Sequence, residues 1–316
     1  IVTYVHDSTI KVCSATALDR KGCDFRADGV GDQAEINTAF TVLPAGGGSV
    51  RVSEGQFNLS AAMTILRSNV SLEAGSGTTF YLADRASSPI LQIGNGITLV
   101  SNIVIHGGVY NGNKSNQIGM PDGIDVMPNT RQITIERVTV RNVLGVGVNL
   151  WQQSTLLNSI VEDSRENIVA NYGYATLDHV VSRNSGPDET LDLAGDYNRV
   201  TNSEFYGSVD LGGWQSGVDG ASRGHFLVLT GNRFHDNPNG HGFQLRNTDH
   251  SIISNNIFWN NGIANGSSQL KIQNSDHNTI TGNVLGSDYQ GNYLKSRTGI
   301  ELDPQSDYNI VIGNDT

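Results

Sequence analysis

One short strand pattern recurs along the second half of the chain and limits its possible folds more than any other feature. Residues 190–194 (TLDLA), 242–246 (GFQLR), 269–273 (QLKIQ) and 299–303 (GIELD) each place one polar residue between two apolar ones. Side chains on a β-strand alternate faces, so the apolar pair points to one side and the polar residue to the other. Parallel stacking of such strands would align the polar residues in one outward column. The predicted column contains Asp125, Asn149, Val169, Asp192, Asp210, Gln244, Lys271 and Glu301.

A second strand pattern repeats between copies of the first, as in residues 229–234 (LTGNRF), 253–258 (ISNNIF) and 280–285 (ITGNVL). The period is about 21–31 residues, which is typical of solenoids. One repeat cannot bury its apolar face alone, so stacking is expected to bury an internal row. The predicted row is Phe205, Phe234, Phe258 and Leu285. We therefore predict an all-β fold, a parallel β-helix, and the crossover rule makes it right-handed.

Two sets of polar residues recur at fixed repeat positions. Stacked asparagines can satisfy each other's buried amides, which predicts a structural ladder of Asn232, Asn256, Asn283 and Asn314. Aspartates just before a strand are expected to bond turn backbone rather than a metal. These are Asp196, Asp249, Asp276 and Asp307, and His250 and His277 beside two of them are interpreted as turn residues in the same way.

The first part of the chain predicts one helix. Asp32 suits an N-cap, and Glu35 three residues later suits a capping box for a helix over residues 32–43. The helix is expected to cover the N-terminal end of the solenoid. We predict a single domain over residues 1–316, with an N-terminal extension and capping helix at 1–44 and β-helix coils at 45–316.

Composition excludes some partners. Lys and Arg number 20 against 31 Asp and Glu, a net charge of −11, and no basic run is present to neutralise nucleic-acid phosphates. No apolar run approaches the roughly 18 residues of a membrane span. Cys13 and Cys23 are close enough in sequence to pair, and two free thiols fit the sequence equally well.

Catalytic chemistry is expected where carboxylates meet in the column. Neighbouring coils stack about 4.8 Å apart, so Asp192 and Asp210 should lie close together. Two close carboxylates repel, which raises one pKa and separates an acid from a base. Cleavage of a glycosidic bond needs such a pair. The next coils add His241 and then Lys271 to the same wall.

The opening of the chain resembles a known superfamily. Residues 28–40 (DGVGDQAEINTAF), 45–59 (AGGGSVRVSEGQFNL) and 68–75 (SNVSLEAG) are similar to the start of pectate-lyase-like β-helix proteins. That superfamily includes polygalacturonases, alginate epimerases, polysaccharide lyases and phage tailspike depolymerases. The resemblance implies a polysaccharide substrate, an extracellular or phage-particle location and, through the trimeric tailspikes, a homotrimer.

The order of residues in four coils also resembles the polygalacturonases. In that family, an aspartate is followed one coil later by a second aspartate, one coil further by a Gly-His-Gly motif, and then by a basic strand. The resemblance implies that Asp192 and Asp210 act as acid and base, that His241 orients them and that Lys271 binds a substrate carboxylate. The chain departs from that family in having Thr190-Leu191 before the first aspartate and a single second aspartate.

A polysaccharide lyase or a mannuronan C5-epimerase is the alternative enzyme class. Residues 145–151 (GVGVNLW) lack the Asp and His of the epimerase strand, although residues 241–243 (HGF) match its later motif. His241, Lys271, Arg246 and Tyr206 would then serve proton abstraction and uronate neutralisation. No cofactor is required, but calcium would suit Asp188 and Glu189 together with Asp192 and Asp210.

Aromatic and polar residues near the column complete the predicted glycan site, because aromatic faces stack on sugar rings. The predicted substrate-binding residues are Asp125, Asn149, Trp151, Tyr172, Trp214, Gln244 and Arg246. The sequence therefore predicts an enzyme that cleaves glycosidic bonds of a uronate-containing glycan. A non-catalytic phage-tail or surface glycan-binding β-helix is the alternative from another class.

Overall fold

The computed structural model describes residues 8–212, 224–237, 240–263, 266–287 and 299–316, and for residues 210–212 it describes the backbone. The chain packs as two compact units, Ile1–Asn149 (unit 1) and Leu150–Thr316 (unit 2). The prediction of one domain over residues 1–316 stays a prediction. No helix among the described residues has the length and apolar character needed to cross a bilayer.

Unit 1 contains the single predicted helix and the first coils. Its elements are β1 (Thr9–Cys13), β2 (Phe25–Arg26), α1 (Gln33–Val42), β3 (Gly48–Val52), β4 (Gly55–Leu59), β5 (Met63–Ile65), β6 (Val70–Ala74), β7 (Thr78–Leu82), β8 (Leu91–Ile93), β9 (Val100–His106), β10 (Val109–Asn111), a 3-10 turn (Lys114–Asn116), β11 (Ile124–Val126), β12 (Thr130–Glu136), β13 (Thr139–Arg141) and β14 (Val146–Asn149).

Unit 2 consists of short strands. They are β15 (Ser154–Leu157), β16 (Ile160–Glu162), β17 (Glu166–Ala170), β18 (Thr176–Asp178), β19 (Val181–Arg183), β20 (Leu191–Leu193), β21 (Arg199–Thr201), β22 (Glu204–Tyr206), β23 (Val209–Gly212), β24 (Gly224–His225), β25 (Val228–Thr230), β26 (Arg233–His235), β27 (Phe243–Arg246), β28 (Thr248–Asp249), β29 (Ile252–Ser254), β30 (Ile257–Trp259), β31 (Leu270–Gln273), β32 (Thr279–Thr281), β33 (Val284–Gly286), β34 (Ile300–Leu302) and β35 (Ile310–Ile312).

Within each unit the strands pair in parallel and form three sheets, named A, B and C, and in unit 2 β24 and β28 form a further two-stranded sheet. In unit 1 the order is β2-β1-β3-β6-β9-β12 in sheet A, β4-β7-β10-β13 in sheet B and β5-β8-β11-β14 in sheet C. In unit 2 the order is β15-β18-β21-β25-β29-β32-β35 in sheet A, β16-β19-β22-β26-β30-β33 in sheet B and β17-β20-β23-β27-β31-β34 in sheet C. Successive coils contribute one strand to each sheet, so the predicted parallel β-helix is confirmed.

The core of unit 2 is a set of stacked apolar rows, as predicted. Phe205, Phe234 and Phe258 are fully buried and in register. Their ring centroids lie 5.3 and 5.1 Å apart, with nearly parallel planes. Leu285 continues the row in β33. Stacked aromatic pairs of this kind stabilise a fold beyond the area that they bury.

The predicted asparagine ladder is also confirmed. Asn232 Nδ2 donates to Asn256 Oδ1 at 3.0 Å, and Asn256 Nδ2 donates to Asn283 Oδ1 at 3.0 Å. Asn283 Nδ2 in turn donates to Asn314 Oδ1 at 2.9 Å. The recurring aspartates accept backbone N–H groups of the following coil, as at Asp249, whose Oδ1 lies 2.7 Å from the Asp276 nitrogen. Both sets therefore hold neighbouring coils together.

One position near the start of successive sheet A strands has left-handed backbone in both units, and at Asn102 and Gln132 it lies inside the strand. We call its residues the turn ladder. In unit 1 they are amides: Asn102 Nδ2 donates to Asn69 Oδ1 at 2.9 Å, and Gln132 follows at the same position. In unit 2 the first is Gln153, and the residues that follow carry aromatic rings whose neighbouring centroids lie between 5.0 and 5.6 Å apart. These are Tyr174, Tyr197, Phe226, His250, His277 and Tyr308.

The N-terminal segment differs from its prediction in one detail. Helix α1 packs against the first strands of unit 1, as expected for a cap. The predicted capping box is wrong, because Asp32 makes no side-chain bond to the helix. Instead, its carboxylate accepts the N–H groups of Gly29 and Asn58, each at 2.7 Å. These two bonds attach the turn before the helix to strand β4. Cys13 and Cys23 form a disulfide.

Candidate functional site

The outward middle residues of the sheet C strands in unit 2 form the predicted column. Strand pairing places Asp192 beside Val169 and Asp210, and Gln244 beside Lys271. Asp210 pairs in turn with Gln244. The apolar neighbours of Asp192, Leu191 and Leu193, point inward and are buried. The predicted register is therefore confirmed, and it follows from one polar residue between two apolar ones in each strand.

Asp192 lies at the acidic end of this face. Its Oδ2 accepts a hydrogen bond from Asn171 Nδ2 at 3.0 Å. Asp210 is its backbone partner in the next strand, and its side chain lies outside the described part of the chain.

Glu166 is a residue that the sequence reasoning missed. It begins β17, the strand beside that of Asp192, and is half-buried. The Asn167 N–H bonds the Glu189 carbonyl at 3.2 Å, which places Glu166 beside the acidic turn at 188–189. Burial, followed by the charges of Asp192, Glu189 and Asp188, raises the pKa of Glu166 to about 8, while Arg165 opposes the rise.

A sequence signal for Glu166 existed. An acidic residue begins a sheet C strand there, and the pair Asp188-Glu189 comes shortly before the next one. Stacked coils bring such equivalent positions together. Each carboxyl then makes ionisation of the others less favourable.

The predicted calcium site is not formed by the described donors. Asp188 Oδ2 pairs with Arg165 Nε at 2.7 Å. Over the described residues, no group of three or more His, Cys, Asp or Glu side chains is placed to hold a metal. Calcium at Asp188 and Glu189 therefore stays a prediction, and no chemical step below depends on it.

Cationic residues follow at the other end of the column. Lys271 Nζ lies 3.7 Å from Glu301 Oε1. Arg246 Nη2 donates to Gln244 Oε1 at 3.0 Å, and Gln244 Nε2 donates to Gln273 Oε1 at 2.8 Å. Arg246, Gln244 and Gln273 therefore form one hydrogen-bonded chain on the outer face of β27 and β31, and Lys271 forms a separate ion pair with Glu301.

His241 belongs to the cationic end. Its Nδ1 lies 3.2 Å from the Ser268 backbone nitrogen and 2.7 Å from Ser268 Oγ. Burial and then the charge of Lys271 lower the pKa of His241, with a smaller contribution from Arg246, while Glu301 opposes the decrease. Because a backbone N–H can only donate, Nδ1 is the acceptor and the neutral ring carries its proton on Nε2.

Other predicted residues occupy different places. The rings of Trp151 and Tyr172 contact each other, with centroids 3.6 Å apart. Tyr206 ends a sheet B strand, next to the ring of His235 and shortly before β23, and its role in a lyase reaction stays a prediction. Trp214 lies outside the described residues.

In unit 1, sheet C carries Asp125 and Asn149. Asn149 Nδ2 donates to Asp125 Oδ1 at 3.0 Å. Asp122, also missed by the sequence reasoning, has its pKa raised to about 6 by burial and then by Asp125, against the effect of a hydrogen bond from the Val146 N–H. Burial also raises the pKa of Asp125.

Comparison with known families agrees with this geometry. A family model described as the right-handed beta helix region matches residues 122–275. The match and the strand order agree on the fold, which is a right-handed parallel β-helix. No curated protein matches the sequence of this β-helix.

Solved structures share the β-helix at low identity. The A-module of a mannuronan C-5 epimerase from Azotobacter vinelandii superposes with a TM-score of 0.74 at 22% identity, covering 91% of this chain and 92% of that one. The enzymatically active domain of bacteriophage CBA120 tailspike protein 2 gives 0.68 at 16%, covering 86% and 43%. A polygalacturonase from Erwinia carotovora gives 0.61 at 12%, covering 99% and 98%. At these identities the likeness shows the fold alone.

Proposed function

We propose that this β-helix hydrolyses glycosidic bonds of a uronate-containing polysaccharide bound along the column of unit 2. The observation that carries this proposal is the carboxyl cluster around Glu166: its strand β17 pairs with β20, the strand of Asp192, and after burial the charge of Asp192 contributes most to its raised pKa. Glu166 retains its proton at neutral pH, because its pKa is raised to about 8. Asp192 accepts a hydrogen bond from Asn171. An acid and a carboxylate held side by side are what glycoside hydrolysis requires.

Each carboxyl has a separate role in this proposal. Glu166 donates its proton to the leaving glycosidic oxygen. Asp192 takes a proton from the water molecule that attacks the anomeric carbon, and the bond to the leaving oxygen breaks as the bond to water forms, with Asp210 as the second carboxylate of the column. The sequence assigned the acid and base to Asp192 and Asp210, and Glu166 provides a better acid because three acidic neighbours disfavour its ionisation.

The cationic end binds the substrate rather than reacting with it. Lys271 lies three strands beyond Asp192, which is roughly 14 Å at the usual strand spacing. That distance is too long for contact with the bond that Asp192 serves. Lys271 and Arg246 therefore hold carboxylates of neighbouring uronate residues, and Gln244 and Gln273 fix the guanidinium of Arg246 through a hydrogen-bonded chain.

The state of His241 favours hydrolysis over a lyase reaction. A lyase needs a base to remove the proton at C5 of the sugar. With Nδ1 accepting the Ser268 N–H, His241 presents an N–H at Nε2, which donates hydrogen bonds and accepts no proton. His241 is therefore suited to orient a substrate oxygen.

The class of substrate has independent support. The polygalacturonase and the mannuronan C-5 epimerase that share the fold are named for uronate-containing polymers. The Cys13–Cys23 disulfide supports an extracellular or particle-associated location, because disulfides persist in oxidising compartments. A homotrimer remains a prediction from the tailspike resemblance.

The test is turnover of a panel of uronate-containing and neutral polysaccharides, with and without a chelator. We expect new reducing ends from a uronan without an unsaturated product that absorbs in the ultraviolet. Unsaturated products would instead establish a lyase. Tight binding of a glycan with no product under any condition would replace the enzyme with a binding protein.

A further inference from the structure

Unit 1 has a surface cavity of about 420 Å³ that the proposed catalytic site does not use. Binding pockets for small molecules typically range from about 300 to 1,000 Å³, so one sugar fits. The lining residues are Ser87, Pro89, Ile118, Gly119, Met120, Pro121 and Asp122.

Two loops build this cavity and are bonded to each other. Ser87 Oγ donates to the Ile118 carbonyl at 2.8 Å, and the Ser87 N–H donates to Gln117 Oε1 at 3.3 Å. Ile118 and Met120 are 58% and 65% exposed at the rim. Together with the two prolines of the lining they form an apolar surface on which the carbon face of a sugar ring can rest.

Asp122 is held rigidly at the polar side of the cavity. Its Oδ1 accepts the Val146 N–H at 2.8 Å, and its carbonyl accepts the Ile90 N–H at 3.2 Å. Gly145 passes so close that a Cβ at this position would lie 2.4 Å from Asp122 Oδ1. Glycine at 145 therefore lets the backbone clamp the carboxylate, and the carboxylate is oriented before any ligand binds.

Among the described residues, no positively charged side chain contributes to the pKa of Asp122 or Asp125. The hydrogen-bond donors to Asp122 and Asp125 are the Val146 N–H and the Asn149 amide. Each carboxylate is destabilised by burial, and Asp125 further destabilises Asp122. A cation in the cavity would relieve both effects, whereas an anionic sugar would increase them.

We propose that this cavity binds a sugar that carries a free, protonated amine. The ammonium group bonds the Asp122 carboxylate with Asp125 adding attraction, and the ring rests on Ile118, Met120 and Pro89. A uronate is excluded by charge, and a neutral hexose gains the apolar contact without the ionic one. This site goes beyond the proposed hydrolysis, since every residue in it belongs to unit 1.

The test is titration of the full chain with glucosamine, glucose and glucuronate in turn. Binding is measured by calorimetry or by NMR of the Met120 methyl group. We expect glucosamine to bind at least about tenfold more tightly than glucose at pH 7.5, as for a charge-assisted hydrogen bond. The preference should disappear near pH 5, because Asp122 takes up a proton below about pH 6. Glucuronate should bind more weakly than glucose.

Asp122→Asn should remove the preference for glucosamine, and Asp28→Asn, with the same charge change beside α1, should keep it. If Asp122→Asn fails to fold, the Asp122 pKa in the wild type provides the second measurement and should decrease when glucosamine binds. Equal affinity for glucose and glucosamine, or a preference retained by Asp122→Asn, would overturn the proposal. Polysaccharide turnover is measured separately, so failure of one proposal leaves the other standing.

Discussion

Sheet C of unit 1 and sheet C of unit 2 both carry half-buried carboxyl groups on the outer face, but the groups that follow them differ. In unit 1, Asp122 and Asp125 have amide donors as their partners. In unit 2, Glu166 and Asp192 are followed along the column by Arg246 and Lys271. A carboxyl pair next to cations can act on an anionic polymer. A carboxyl pair without cations attracts a positive ligand.

The same strand pattern therefore hosts two different electrostatic environments. The inward residues of both units are apolar and interchangeable in type, since they need only fill the core. The outward residues are free of that requirement, and they determine the chemistry of each unit. The predictions below test whether the two environments differ in function.

The largest expected effect is loss of turnover on removal of Asp192. Asp192→Asn preserves size and the contact with Asn171, but removes the carboxylate. Turnover of the uronan should decrease by about 10²–10⁴-fold, the usual contribution of one acid or base. Release of reducing ends measures this effect. Asp28→Asn in unit 1 is the matched control. Wild-type turnover in Asp192→Asn would show that the catalytic groups do not belong to the column.

Glu166→Gln should give a similar loss and should also change the pH profile. In the wild type, turnover is expected to decrease as the pH rises through about 8, because Glu166 then loses the proton that it donates. The variant should lose this limb of the profile. Glu162→Gln, on sheet B of the same unit, should behave as the wild type.

Glu166 should also affect stability, with a sign opposite to that of an ordinary salt-bridged carboxylate. The raised pKa means that the folded state binds this proton more tightly than the unfolded state does. The contribution of Glu166 to stability is therefore present at pH 4 and is lost as the pH rises toward about 8. Glu166→Gln should melt at a higher temperature than the wild type at pH 9 and at nearly the same temperature at pH 4. Equal melting temperatures at both values would contradict the proposed burial of this charge.

A smaller effect is expected at the cationic end. Lys271→Met retains the apolar stem and removes the charge, so KM for a uronan should increase about tenfold while kcat stays the same. Lys271→Arg should restore most of the affinity. The KM for a neutral polysaccharide should not respond, and an equal increase for both polymers would assign Lys271 a structural role.

The smallest effect concerns the turn ladder, whose residues are amides in unit 1 and, after Gln153, aromatic in unit 2. Tyr197→Asn removes two ring contacts, with Tyr174 and Phe226, each worth about 0.5–1.5 kcal/mol, but gains a residue suited to left-handed backbone. Urea denaturation should show a net loss of about 1 kcal/mol. The reverse change, Asn102→Tyr, should be more harmful, because it breaks the bond to Asn69 without gaining a stacked ring.

Much of this architecture could be predicted from single positions in the repeat. The register of Asp192, Gln244 and Lys271 follows from the alternation of apolar and polar residues in each strand, and the ladder ending at Asn314 follows from one repeated residue type. The acidic neighbours of Glu166 could have been found from equivalent positions in two repeats, but the size of its pKa rise could not, since burial is the largest cause and depends on packing. The sequence predicts turn residues at His250 and His277, but not the stacking of their rings with Phe226 and Tyr308. The residue type at this repeat position changes from coil to coil, so no single repeated residue indicates the stack.

The Cys13–Cys23 disulfide closes a short loop that carries the exposed Lys21. A trypsin cut after Lys21 would leave the two pieces covalently joined, so the nicked chain would migrate as a whole protein on a gel until a reducing agent was added. In the nicked protein that is still folded, β1 would stay paired with β3. Exposure to proteases at this end would thus leave no visible trace unless thiols are present.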